Sequence, residues 1–260
     1  MFDLAALEVE LAGTQFAGKL RFSSITDSTN TDALVAARAG APHGSVYFAD
    51  EQQAGRGRGG HAWHSAAGEG LYVSVLLRPD IPAARLPLLP LVAGLAAADA
   101  VTATSGLEVD LRWPNDLLIG PRKAGGILVE AQSEDSVVAF AVVGIGINVH
   151  QREFDPGLST PATSLDLEAG RRIERQALLV SLLKSLERET AALADAAAEE
   201  AIAERVALAS TWINGRSVEV HGPQACVGVT AGLDRHGFLL VQTDAGVVTV
   251  QTGGIRAVGI

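Results

Sequence analysis

The sequence predicts an α+β chain in two parts: a mixed sheet with packed helices over residues 1–212, and a small β-barrel over residues 213–260. Two observations carry this reading. Between residues 20 and 210, short apolar runs alternate with helix-like stretches, the pattern of a sheet layered with helices. After residue 213 the pattern becomes short β runs divided by glycine, at 217–221, 226–233, 237–243 and 246–251, which suits a small barrel. The break falls at Ile213-Asn214-Gly215-Arg216.

Taken in order, residues 1–18 form a short lead-in to which no element is assigned. A strand is predicted over 20–25. Asp27, Ser28, Thr29 and Asn30 are cap formers ahead of a helix over 31–39 that Gly40 ends. Strands follow over 45–49 and 71–77, the second closed by Arg78-Pro79. Residues 88–103 read as an alanine-rich buried helix. Residues 109–113 and 117–119 are extended on either side of Pro114. A hairpin is expected from 126–130 and 137–143, turning near Ser133-Glu134-Asp135, and 143–149 reads as an apolar strand with glycines where a ligand or backbone approaches closely. Residues 150–170 are expected to be loop, 175–193 a long helix, and 197–210 further helix.

Composition narrows the function. The formal net charge of −10, with lysine only at 19, 123 and 184, makes a general nucleic-acid binder a poor reading. A single cysteine, Cys226, excludes an intrachain disulfide; a buried, inert thiol in a reducing cytosol is expected. Asp3, Glu8 and Glu10 stand where a signal peptide carries positive charge. The longest apolar run, 86–101, is broken by Pro87, Pro90 and Asp99 and reads as too short to span a bilayer. A soluble cytoplasmic protein with no membrane partner is expected.

Against this acidic background stands a cationic loop, Gly55-Arg56-Gly57-Arg58-Gly59-Gly60. Its glycines let the backbone turn and offer several N–H groups to one anion, and Arg56 and Arg58 add planar forks for phosphate or carboxylate. Alone, it reads equally as a flexible surface loop with two solvated arginines. The string also fits G-x-G-x-x-G, but His61-Ala62-Trp63-His64 with Gly68 and Gly70 does not open a helix, so a dinucleotide fingerprint is rejected. Trp63 is either core or an aromatic wall for a ring. Gln52 and Gln53, just before the loop, read as amides able to recognise a polar head group or as plain surface residues. Trp113-Pro114-Asn115-Asp116 is an ordinary turn or a placed amide and carboxylate. Lys123, seven residues after Asp116 and across the Gly120-Pro121 turn, returns to the same end of the sheet or is a solvated turn lysine. No His/Cys metal cage appears; His61 and His64 lack partners.

The whole set is more specific than its parts. Ser28-Thr29-Asn30, the 52–60 stretch, Trp63, Trp113-Pro114-Asn115-Asp116, the 123–130 stretch and Gly144-Ile145-Gly146-Ile147-Asn148-Val149 resemble, in order and spacing, the biotin–protein ligases over residues 20–258. The resemblance implies the fold shared with class II aminoacyl-tRNA synthetases and lipoate ligases, followed by an SH3-like domain. It implies that biotin and Mg²⁺-ATP give biotinoyl-5′-adenylate, and that biotin then passes to one lysine of a biotin carboxyl carrier domain. By the family pattern Ser28, Thr29, Asn30, Gln52, Gly55, Arg56, Lys123 and Gly126 meet biotin. Arg56, Gly57, Arg58, Trp63, Asn115, Lys123 and Asn148 meet the nucleotide. Lys123, Arg58 and Asp116 carry the chemistry, Lys123 as central cation and Asp116 orienting or deprotonating the acceptor lysine. The loop is expected to order when ligand binds. Gly59 and His61 stand where the family is often basic, and Arg112 where lysine is common. Many bacterial members carry a winged-helix DNA-binding domain ahead of this region; none is expected here, nor a repressor role. A monomer or weak homodimer is expected. The rivals are a lipoate–protein ligase, which the Gly-Arg-Gly-Arg loop and the β tail argue against, and a non-catalytic ligand- or carrier-binding module.

Overall fold

The computed structural model describes residues 2–195 and 198–258. The lead-in contains a helix, α1 (Leu4–Glu10), whose cap Asp3 accepts from the Ala6 N–H at 3.1 Å. Then come β1 (Leu20–Thr26), α2 (Thr29–Arg38), β2 (Ser45–Gln52), β3 (Gly70–Leu77), α3 (Leu89–Ser105), β4 (Asp110–Arg112), β5 (Asp116–Ile119), β6 (Arg122–Glu134) and β7 (Val137–Asn148). After these lie α4 (Leu165–Ala169), α5 (Arg175–Ala191) and α6 (Ala198–Leu208); residue 197, where this last helix is expected to begin, is outside the described residues. The C-terminal part holds β8 (Asn214–His221), β9 (Cys226–Leu233), β10 (Leu239–Thr243), β11 (Gly246–Val250) and β12 (Gly254–Ala257).

The larger sheet has seven strands in the order β1-β2-β3-β7-β6-β5-β4, with β1 and β2 parallel and the other pairs antiparallel. The smaller is a five-stranded antiparallel sheet, β11-β10-β9-β8-β12, consistent with an SH3-like domain. The class is therefore mixed α+β, as expected.

Several local expectations need correction. Helix α2 starts two residues before the expected position, and Ser28 at its cap makes no side-chain capping bond. Thr29 and Asn30 belong to the first turn because their side chains bond across to other strands. The expected hairpin and the following apolar strand are one continuous pair, β6 and β7, and the 150–170 loop contains α4. Strand β12 begins at the second of two glycines and is only four residues long, too short for a pattern to register. Cys226 is half-buried rather than buried, and burial still raises its thiol above the usual value.

The apolar helix is longer than the 86–101 run. Residues Ala83–Ser105, with mean hydropathy 1.7 over their best window, are long and apolar enough to cross a membrane by composition; the fold instead buries 67% of that window. Pro87 lies in the 3₁₀ turn before α3, and Pro90 lies at its first turn, where a missing N–H breaks no helical bond. The helix closes on Gly106 in the left-handed conformation, φ 78°.

Strand alternation decides which face does what. Leu71, Val73, Val75 and Leu77 of β3, with Val143, Ile145 and Ile147 of β7, enter the main apolar core, where α3 and α5 pack together. The opposite face is covered at one end by α2, whose Ala33 and Ala37 pack on Leu76, Phe140 and Val142. Further along that face the strands present Tyr72, Ser74, Gly126, Gly144 and Gly146; the first turn of α2 reaches Ser74 and Gly144 through Thr29 and Asn30.

Candidate active site

A cleft lies over this stretch. Its floor exists because of glycines paired across strands: Gly126 opposite Gly146, and Gly144 opposite both Ser74 and Leu128. The Trp63 ring lies on this floor. A β-carbon on Gly146 would stand 2.7 Å from its Nε1, and one on Gly126 would stand 3.6 Å from its Cζ3. The indole N–H is buried without a hydrogen-bond partner.

The glycine-arginine loop is folded as a closed turn. Gly57 N–H donates to the His61 carbonyl at 2.7 Å, Trp63 N–H to the Gly55 carbonyl at 2.8 Å, and Gly59 and Gly60 take φ of 67° and 80°. Gly55 is where the two legs cross. Its β-carbon would collide with the Trp63 carbonyl and lie 2.8 Å from Ser65 Oγ, so glycine serves loop closure there. Arg56 forms a bidentate pair with Glu130 at 2.6 and 3.1 Å. Arg58 reaches the C-terminal part, donating to the Gly253 carbonyl and to Thr252 Oγ1 at 2.9 Å. Burial lowers the Arg58 guanidinium below its ordinary value, and nearby Asp116 partly opposes this.

The third cation is Lys123. Its backbone is clamped by the 160–163 segment: its N–H donates to Pro161 at 2.8 Å and its carbonyl accepts from Thr163 at 2.9 Å. Its Nζ lies 2.5 Å from Asp116 Oδ1 and 5.6 Å from the Trp63 ring centre. Asp116 Oδ2 takes Arg112 at 2.6 Å, so this carboxylate sits between two cations and aims Lys123. Asn115 donates to the Ile127 carbonyl at 2.8 Å.

At the other end of the cleft a polar network is buried. Gln52 Oε1 accepts from Thr29 N–H at 2.9 Å, Thr29 Oγ1 and Ser74 Oγ are 2.8 Å apart, Ser74 donates to Asn30 Oδ1 at 2.6 Å, and Asn30 Nδ2 donates to Glu130 at 2.9 Å. Tyr72, two residues before Ser74 on β3, donates its hydroxyl to the Ala66 carbonyl at 3.1 Å, and burial pushes that hydroxyl above its ordinary value.

The structure therefore brings together nearly all the predicted residues. Ser28, Thr29, Asn30, Gln52, Arg56, Gly57, Arg58, Trp63, Asn115, Lys123 and Gly126 all line the cleft. Gly55 and Asp116 stand behind its lining. Asn148 is buried and donates to the Thr163 carbonyl at 3.0 Å, bracing the segment that clamps Lys123. Sequence reasoning missed Tyr72, Ser74 and Glu130. A lone serine inside the apolar run 71–77, and a carboxylate two positions past Leu128 on the same face, were the available signals. Among the described residues, no group of three or more His, Cys, Asp or Glu is placed to hold a metal ion.

Such a cleft, holding two arginines and a lysine against a glycine floor, suits a ligand with two anionic groups and a ring. Residues 22–148 match the biotin/lipoate A/B protein ligase family. The chain is 35% identical to the "Bifunctional ligase/repressor BirA" of Bacillus subtilis (strain 168) over 91% of its own length and 73% of the relative's. It is 36% identical to the "Biotin--[acetyl-CoA-carboxylase] ligase" of Mycobacterium tuberculosis, covering 88% of this chain and 85% of that one. The biotin protein ligase of Aquifex aeolicus in complex with biotin and ATP superposes with a TM-score of 0.78 at 29% identity, over 92% of this chain and 98% of that one. With the fold, the cleft and these relatives in agreement, the chain belongs to the biotin/lipoate A/B protein ligase family, among its biotin ligases.

Proposed function

We propose that this enzyme activates biotin with ATP to biotinoyl-5′-adenylate and pyrophosphate, then transfers biotin to a lysine of a biotin carboxyl carrier domain. The observation that carries the reading is the convergence of Lys123, Arg56 and Arg58 on one cleft of a chain with net charge −10. A carboxylate that attacks the α-phosphorus of ATP is repelled at the start, and charge then grows at the phosphorus oxygens. Fixed cations and N–H donors offset both effects.

The roles follow from position. Lys123, held at its backbone and aimed by Asp116, stands between the biotin carboxylate and the α-phosphate. Arg58 and Arg56 cover the phosphate from the loop. Ser28, Thr29, Asn30 and Gln52 meet the biotin head group, Gly126 leaves room for its ring, and Gly55 closes the loop over it. Gly57, Trp63 and Asn115 adjoin the nucleotide, and Asn148 supports that side. In the second step Asp116, already a hydrogen-bond acceptor at the cleft edge, takes or orients the proton of the incoming lysine.

Residues 1–212 form the catalytic domain and 213–260 a smaller domain that holds Arg58 through Thr252 and Gly253. Among the described residues no group of three or more His, Cys, Asp or Glu is placed to hold a metal ion, so Mg²⁺ would enter on the nucleotide phosphates and would offset part of their charge. The free thiol suits the cytoplasm, with the protein acting as a monomer or weak homodimer.

The test is a mass measurement. The protein is incubated with ATP, Mg²⁺, a carrier domain, and either biotin or lipoate. One added biotinoyl group on the carrier is expected; lipoylation in its place, or no labelling, overturns the reading.

A further inference from the structure

Glu130 ends the chain of hydrogen bonds under the cleft, and its chemistry, with the Leu128 carbonyl 3.5 Å from Asn30 Nδ2, fixes the direction of the bonds made by Asn30 and Ser74. Its carboxylate takes both N–H arms of Arg56, at 2.6 and 3.1 Å, and the Asn30 amide at 2.9 Å. A carboxylate ion-paired in this way only accepts hydrogen bonds. Asn30 must therefore turn its NH₂ toward Glu130 and its oxygen inward, where Ser74 Oγ lies at 2.6 Å. That amide oxygen also only accepts, so the single proton of Ser74 is committed to Asn30. Thr29 Oγ1 lies 2.8 Å from Ser74 Oγ and 3.1 Å from Gln52 Oε1, and gives its own proton to one of these two oxygens. Both hydroxyls line the cleft with lone pairs alone left to offer. Ser74 is 0% exposed and Thr29 and Asn30 each 4%, so water does not rescue a mismatched ligand.

We infer that Glu130 is a specificity-determining positioning residue: acting through Asn30, it sets the Thr29 and Ser74 hydroxyls as acceptors, so this end of the cleft selects a head group that presents N–H donors over one that presents only acceptors. The chemical class is a cyclic urea or similar ring with paired N–H groups. The inference rests on the biotin reading above, since the ureido ring of biotin carries two such groups. It also separates two jobs of one carboxylate. The Arg56 pair is solvent-facing and concerns the loop, whereas the Asn30 bond is interior and concerns the head group.

The test is calorimetric titration of the full chain, without ATP, by biotin and by an analogue whose two ring N–H groups are replaced by oxygen, a cyclic carbonate. The wild-type chain is expected to bind biotin about a hundredfold more tightly than the carbonate. Glu130→Gln offers Asn30 either an oxygen or an NH₂, which leaves only the long 3.5 Å bond to the Leu128 carbonyl holding the Asn30 amide, so that the amide can turn over and Ser74 can donate outward. In that variant the preference for biotin is expected to shrink about tenfold. A purely structural role would weaken both ligands together and leave their ratio unchanged. Should Glu130→Gln fail to fold by circular dichroism, Ser74→Ala removes one acceptor without touching the ion pair, and the same narrowing is expected. An unchanged ratio in the folded variant, or equal binding of both ligands by the wild type, overturns this inference and leaves the functional reading standing. A wild-type chain that binds no biotin overturns both.

Discussion

On β3, Leu71, Val73, Val75 and Leu77 point into the main core, while Tyr72 and Ser74 point into the cleft. On β7, Val143, Ile145 and Ile147 do the first and Gly144 and Gly146 the second. The same strands thus make a close-packed aliphatic face and a hollow polar one, offset by a single residue. The packed face has no room to spare and no chemistry. The hollow face gives up side-chain volume at three glycines so that an indole and an amide can lie against backbone, and it retains a buried polar network that has value only if a ligand uses it. Damage to one face should read out as stability, and damage to the other as binding or rate.

The largest separation is expected from Lys123→Ala. Removing a preorganised cation from the reacting centre should lower the rate of adenylate formation by about 10²–10³, roughly 3–4 kcal/mol of transition-state stabilisation, while the denaturation midpoint stays close to wild type. Pyrophosphate release at saturating ATP checks it; a near-normal rate would remove Lys123 from the mechanism. The complementary experiment is Leu71→Ala, at a position that is 0% exposed. It should lose about 2–4 kcal/mol of stability in urea unfolding and retain wild-type activity per folded molecule. A loss of kcat without a loss of stability would show that the two faces are not separable.

Neighbouring residues on one strand sharpen the contrast. A β-carbon on Gly144 would run into Asn30 Oδ1 and stand 2.9 Å from its Cγ. Gly144→Ala should therefore displace Asn30 and weaken biotin binding by about tenfold or more. Ile145→Val, one residue on and facing the core, should change affinity little and reduce stability by about 0.5–1.5 kcal/mol. Equal effects on affinity from the two substitutions would contradict the face assignment.

The legible part of this molecule was its alternation and its turn chemistry. The apolar runs gave the strands, and the cap and glycine signals gave most boundaries, because those depend on residues close in sequence. The motifs gave the site because each of the blocks sits at one end of a strand or in the loop beside it. What escaped depended on partners far away along the chain. Arg58 bonds to residues nearly two hundred positions later, and nothing near position 58 announces Thr252 or Gly253. Glu130 closes the strand expected over 126–130, and only β6 shows it on the face with Gly126 and Leu128, opposite Val142, within reach of Asn30 and Arg56. Ser28 looked like a helix cap, yet the cap bond is absent, because the same hydroxylated stretch turns its side chains toward the cleft.

The smallest expected effect lies outside both faces and checks that acid sensitivity of the fold is not mistaken for chemistry in the cleft. His43 lies at the sheet's edge, where Arg78 N–H donates to its Nδ1 at 2.9 Å and its Nε2 meets Gln15 Oε1. Accepting at Nδ1 requires the neutral ring, with the proton on Nε2. Burial lowers its pKa below the ordinary 6.5, and the nearby charge of Lys19 lowers it further. Below 6.5 the unfolded chain then binds more protons at this site than the folded one, so stability rises with pH through that window. The contribution is fully present above the unfolded value and is lost as pH falls toward the folded one. Thermal unfolding of the wild type and of His43→Gln at pH 7.5 and 5.5 tests this. The wild type should lose more stability between the two conditions than the variant, which has no proton to bind there. An equal loss in both proteins would assign the acid sensitivity elsewhere.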